Sequence, residues 1–175
     1  MEGWISYESA EKLFANMGMK GYDFYKEARK KTFKPFAMNQ QISLSFTNKI
    51  KFSKSYNVLA LYPGTDLADE VIIYTAHWDH FGIGKPVDGD SIYNGAVDNG
   101  TGVAAIVQVA QAFAKLTKKT RRSVMFMAVT AEEQGLLGSE FYSENPVFSP
   151  EKTVADINVD TIGPIGRVND FSIVG

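Results

Sequence analysis

Two short, unbroken apolar runs constrain this chain most: Val71–Ala76 (VIIYTA) and Ser123–Thr130 (SVMFMAVT). A strand with one wet face alternates polar and apolar residues, whereas a continuous apolar run needs cover on both faces. The segment Gly100–Leu116 lies between them and is apolar around most of its circumference. Only Gln108, Gln111 and Lys115 mark a wet side, which predicts a largely buried helix. Gln134–Glu144 reads as another helix, ended near Asn145-Pro146, and Val154–Val159 and Phe171–Val174 as further short strands. Alternation of strands and helices predicts an α/β fold. We expect a three-layer α/β/α sandwich with a mainly parallel, mixed central sheet.

The first third reads differently. Ser6 caps a helix running to about Met17, with Gly18 as its stop, and a second helix covers Tyr22–Lys31. Pro35 ends that region. Gln40–Thr47 alternates and predicts a half-buried strand, and Tyr56–Tyr62 predicts another, stopped by Pro63-Gly64. The boundary is expected near Lys34–Met38, giving a helical connecting segment, 1–36, and a sheet-building domain, 37–175.

At 175 residues, with 45% hydrophobic and 22% charged residues, the chain can build a real core, which argues against disorder. Cys is absent, which removes disulfides, thiolate ligands and Cys nucleophiles together. No apolar run reaches the roughly 18 residues of a membrane span, and Met1-Glu2-Gly3-Trp4 does not open like a signal peptide. Residues 1–60 carry ten basic against five acidic side chains, and residues 61–175 eight against fifteen. The basic residues are scattered, without the arginine-rich or aromatic-interleaved pattern of nucleic-acid binding. The acids of the second part instead stand beside Gly, Asn and His at the ends of apolar runs.

In an open α/β sheet, functional groups gather at the carboxyl ends of the strands. VIIYTA is followed by His77-Trp78-Asp79-His80, SVMFMAVT by Ala131-Glu132-Glu133, and Val154–Val159 by Asp160. Gly95-Ala96-Val97-Asp98-Asn99-Gly100-Thr101-Gly102 immediately precedes the buried helix. Taken singly, each acid has a plainer use: Asp98 as a helix cap, Glu132-Glu133 as a solvated helix start, Asp160 as a turn residue. Together, His77, Asp98, Glu133 and Asp160 converge on one rim as a hard nitrogen and oxygen donor set for zinc or a similar divalent ion. Asp79 shares an extended face with His77 and is placed to accept its second imidazole N–H. Glu132 stands free for proton transfer.

The ordered motifs AHWDHFG, GAVDNGTG, AEEQGLLGS and NVDTIG resemble those of the M28 zinc aminopeptidases. The resemblance is strong over residues 56–175. It is weaker over 1–55, which resemble the segment after an inserted protease-associated domain in larger members. It implies a zinc-exopeptidase-like fold, with 37–175 as part of the peptidase domain. It implies a co-catalytic pair of zinc ions, with His77 and Asp160 on the first, Asp98 bridging both and Glu133 on the second. Glu132 would be the general base and Asp79 would orient His77. A cis peptide at Asp98–Asn99 would also follow.

The family's second ion takes a further His from a later motif, and this chain has only His77 and His80. His80, in the first motif, is expected to pack or support rather than to bind. The resemblance therefore implies a fragment incomplete at its C-terminus, with one zinc ion or none and little activity, prone to self-association through an exposed sheet edge. The complete enzyme would act on peptides with a free N-terminus, and it resembles exported peptidases. Two other readings share the scaffold: a glutaminyl-cyclase-like mono-zinc acyltransferase and a non-catalytic receptor-like relative. The intact Glu132-Glu133 pair and DNGTG favour the peptidase.

Overall fold

The computed structural model describes residues 4–41, 43–163 and 166. They fall into two compact units, Met1–Lys51 and Phe52–Gly175, whereas the sequence reading sets its boundary near Lys34–Met38.

In the first unit, α1 (Tyr7–Ala15) starts at Ser6, whose Oγ accepts the Ser9 N–H at 3.2 Å. The second helix, α2 (Gly21–Ala28), meets α1 at Gly21, whose N–H donates to Glu11 Oε2 at 3.3 Å. Phe24 is the hub of an aromatic cluster, with ring centroids 4.9 Å from Phe14, 5.5 Å from Phe33 and 5.2 Å from Phe36. The strand expected over Gln40–Thr47 does not form among the described residues of that stretch. Its apolar side chains Leu44 and Phe46 stand exposed. Alternation alone cannot make a strand: without a neighbour its N–H and C=O groups are better left to water.

The second unit holds a four-stranded sheet in the order β1-β5-β2-β6, from β1 (Val58–Tyr62), β2 (Leu67–His77), β5 (Arg122–Val129) and β6 (Thr153–Asn158). β1 runs antiparallel to β5, while β5, β2 and β6 are mutually parallel. The two apolar runs of the sequence are thus the central strands. The helix α3 (Thr101–Ala114) covers one face, where Phe113 meets Tyr62, Tyr74 and Phe126. On the other face Val71, Ile73, Met125, Met127 and Val129 form the core, with Tyr142 of α4 (Leu137–Glu144) and Phe148 packed on it. This is the expected three-layer α/β/α arrangement. Gly138 docks α4 onto the end of β5: its N–H donates to Thr130 O at 2.9 Å, and a Cβ there would collide with the Thr130 backbone.

Sequence reading missed a hairpin of β3 (Gly82–Val87) and β4 (Asp90–Tyr93). Its signal was the Asp88-Gly89 turn between them, with both residues at positive φ. The strand expected over Phe171–Val174 lies outside the described residues. No helix of the described residues is long and apolar enough to cross a membrane.

Candidate metal centre

Register decides which side chains meet. β2 pairs His77 with Val129 of β5 and Thr75 with Asn158 of β6. Beyond the ladders, Trp78 N–H donates to Val129 O at 2.9 Å and Val159 N–H to Thr75 O at 2.8 Å. The parallel strands therefore end at one level, and the residues that follow them share one rim.

His77 is 2% exposed. Its Nδ1 lies 3.0 Å from the backbone carbonyl of Asp79, which can only accept, so Nδ1 carries the proton. The contact of Asp79 with the His77 ring therefore runs through its backbone. The Asp79 carboxylate lies farther from Nδ1, at 3.7 Å, and instead accepts the N–H groups of Glu132 (3.0 Å) and Glu133 (3.3 Å). One residue thereby fixes both the imidazole and the turn that carries the two glutamates.

The other nitrogen, Nε2, faces carboxylates: Asp98 Oδ1 at 2.9 Å, Asp160 Oδ1 at 3.6 Å and Glu132 Oε2 at 3.9 Å. A nitrogen lone pair aimed at three carboxylates calls for a cation between them, a proton or a metal. Burial pulls the His77 pKa down, but the Asp79 carbonyl and the charges of Glu132, Asp160 and Asp79 outweigh it, so the net direction is up. The same crowding raises the Glu132 pKa. Desolvation leads, with the nearby Glu133, Asp160 and Asp79 adding to it and His77 opposing.

Two sets of ligand atoms lie within 4.8 Å of one another: His77, Asp98 and Asp160; and His80, Asp98 and Glu133. Asp98 belongs to both. Oε1 of Glu133 is buried and accepts no hydrogen bond among the described residues. An orphaned carboxylate oxygen is costly unless a cation completes it. The donor set and this orphan fit zinc. From the rim a cavity of about 540 Å³ extends over the sheet face, past His77, Glu132 and Asp160 to Tyr142 and Phe148.

Sequence reasoning named Asn99 only for the cis peptide that the resemblance implies and gave its side chain no role. The residue is 2% exposed, and its peptide bond from Asp98 is cis. Its Nδ2 donates to Val159 O at 2.9 Å, and its Oδ1 accepts the N–H groups of Gly102 (3.0 Å) and Thr161 (3.2 Å). It ties the end of β6 to the start of α3, and so holds Asp98 beside Asp160.

The family model of peptidase family M28 matches residues 57–175. The chain belongs to peptidase family M28. Aminopeptidase NAALADL1 of Mus musculus is 35% identical to this M28 chain over 130 residues, which is 71% of the chain and 16% of that protein. A probable glutamate carboxypeptidase, LAMP1 of Arabidopsis thaliana, is 32% identical over 123 residues, 68% of the chain and 16% of that protein. The crystal structure of a peptidase M28 precursor from Shewanella amazonensis SB2B aligns with a TM-score of 0.53 at 33% identity, over 61% of this chain and 22% of that one. The chain thus spans less than a quarter of the length of these relatives.

Proposed function

We propose that this chain carries the centre of a zinc-dependent aminopeptidase, which hydrolyses the first peptide bond of substrates with a free N-terminus. The observation that carries this reading is the meeting of His77, Asp98 and Asp160 with Glu132 alongside. His77, Asp98 and Asp160 offer a first ion three protein ligands, the number that catalytic zinc sites use. Zinc bound there supplies Lewis acidity, polarising the scissile carbonyl and lowering the pKa of a water. Glu132 is the general base: it takes the proton of the attacking water and returns it to the leaving amine. Its raised pKa, set first by desolvation, brings the base closer to working pH. Asp79 holds His77 in the ligating tautomer through its carbonyl and anchors the Glu132 backbone through its carboxylate.

Hydrolysis of aminoacyl-anilides, with and without chelator, tests the reading. Chelation should abolish turnover and zinc should restore it. Glu132→Gln should lower kcat by about 10²–10⁴-fold with metal content intact, whereas Glu133→Ala should lower metal content itself. Activity indifferent to chelators would overturn the proposal. Preferential release of a C-terminal glutamate from N-blocked peptides would move it to the activity named for the plant relative.

A further inference from the structure

Resting on that reading, we propose that Asn57 is a positioning residue for the general base. Its side-chain amide clamps both ends of the turn that carries Glu132, and so sets where the Glu132 carboxylate stands over the metal centre. Asn57 comes just before β1 and is half-buried. It is not among the candidate ligands and acts through the turn alone.

The turn runs from Thr130, the residue after β5, to Gly138 in α4. Three of its residues, Ala131, Gly135 and Leu136, take positive φ, at 53°, 104° and 63°. Two of the three carry a Cβ, and such residues keep this conformation only where their surroundings impose it. The turn closes on itself through Gly138 N–H to Thr130 O at 2.9 Å and Leu137 N–H to Ala131 O at 3.1 Å. From outside, Asn57 engages both ends at once. Its Oδ1 accepts Thr130 N–H at 3.1 Å, and its Nδ2 donates to Gly138 O at 2.8 Å. The β1–β5 ladder ends where Val58 pairs with Ala128, so Thr130 lies beyond it and takes its partner from a side chain. The two partners demand opposite groups, one acceptor and one donor. An asparagine amide supplies both at this reach, whereas an ionised aspartate of the same size supplies acceptors only. Neighbouring contacts sew the same strap to the metal centre: Ser55 Oγ lies 2.6 Å from Thr130 Oγ1, and Trp78 Nε1 donates to Tyr56 O at 3.1 Å. Trp78 stands between His77 and Asp79, so residues 55–57 join the strand end that carries His77 to the turn that carries Glu132. Among the described residues the Glu132 carboxylate accepts no hydrogen bond, and His77 Nε2 lies 3.9 Å from it. The place of the base is therefore set by its backbone, which Asp79 holds from one side and Asn57 holds from the two ends of the turn.

A double-mutant cycle on the zinc-saturated protein tests the assignment, with hydrolysis of an aminoacyl-anilide as its readout. Asn57→Asp keeps the acceptor for Thr130, loses the donor to Gly138 and sets a negative charge against that carbonyl. It should lower kcat by up to about 10²-fold, the cost of a misplaced catalytic group, with KM nearly unchanged. In a Glu132→Gln background the same substitution should lower the residual kcat little, because the base that Asn57 positions is already gone. Losses that multiply across the two backgrounds would show that Asn57 acts on the fold or the metal rather than through Glu132, and would overturn the proposal. So would an unchanged kcat in Asn57→Asp. Amide hydrogen exchange on the wild-type protein decides without any variant. Thr130 N–H, although outside the ladder, should be protected like its neighbours in β5, and fast exchange there overturns the clamp. Failure of the cycle or of the exchange measurement leaves the aminopeptidase reading standing, whereas wild-type turnover that ignores chelators sinks that reading and this proposal with it.

Discussion

The two compact units use apolar residues in opposite ways. In Phe52–Gly175 the central strands bury Val71, Ile73, Val124, Met125 and Met127 to 3% exposure or less. In Met1–Lys51 none of the described residues is buried, although Trp4, Leu44, Phe46 and Ile50 are large and apolar. Hydrophobic content does not separate them. Partnership does: Val71–Thr75 of β2 pair with both β5 and β6, and Val124–Ala128 of β5 pair with both β1 and β2. The residues of 40–47 have no such neighbour among the described ones. Hydrophobic free energy scales with area removed from water, so an apolar side chain with nothing over it contributes little. The functional side chains follow the same division. Every candidate ligand stands at the end of a partnered element, because only a rigid framework holds a donor set within coordination distance.

The comparison breaks or holds first on core deletions. Met125 is 1% exposed in the middle of β5, and Met125→Ala should cost about 2–5 kcal/mol. Phe24→Ala removes more atoms but leaves a half-exposed aromatic cluster, and should cost less than about 1.5 kcal/mol. Amide hydrogen exchange reads each unit separately, and should show Met125→Ala lowering protection of β2 and β5 and Phe24→Ala lowering that of α1 and α2. Equal losses in both units would mean that partnership is not what divides them.

The same division explains what was legible in the sequence. VIIYTA and SVMFMAVT announced the central strands, because burial on both faces leaves a continuous apolar run. His77, Glu132, Glu133 and Asp160 were legible as candidates because strand ends are where an α/β sheet presents side chains, and Asp98 because it stands just before the buried helix. The contact of Asp79 with His77 was harder to read. It runs through the Asp79 backbone carbonyl, and a carbonyl carries no residue signature. The bonding of the Asn99 side chain was hidden for a related reason: it runs to the backbone of Val159, Gly102 and Thr161, two of them some sixty residues away in sequence. The false strand at Gln40–Thr47 was a local pattern without the long-range partner that a strand requires.

Asn99 therefore offers the next test, intermediate in size. Asn99→Ala removes one donor and one acceptor that together serve three buried or partly buried backbone groups. Leaving such groups unsatisfied costs about 1–3 kcal/mol. Because it spans β6 and α3, the change should also loosen Asp98 from Asp160 and weaken metal binding, with cobalt affinity falling about 10–100-fold. Asn99→Asp keeps the acceptor for Gly102 and Thr161 but loses the donor to Val159, so it should fall between. Calorimetric titration with cobalt alongside denaturation separates the two effects. Lost stability with unchanged affinity would confine Asn99 to the fold.

The smallest effect is expected at an acid that sits on the sheet but outside the ligand set. Asp156 of β6 lines the cavity beside Ile73 and accepts a hydrogen bond from Thr75 Oγ1 at 3.1 Å. Desolvation is the leading influence on its carboxyl and raises its pKa above 3.8, with the Thr75 hydroxyl and the Ile157 backbone opposing. A raised carboxyl pKa means that the folded state prefers the protonated form. That preference contributes stability below 3.8, the ordinary value, and is lost as pH rises through the folded value. Asp156→Asn mimics the protonated form at every pH. It should raise the thermal midpoint at pH 7, and its advantage should shrink as the pH approaches 4. Ligand residues are the wrong place for such a gain, because their crowded carboxylates await a cation, whereas Asp156 has only Thr75 and the sheet. A gain of the same size at both pH values would trace the effect to packing rather than charge, and no gain at pH 7 would show that water in the cavity already solvates the carboxylate.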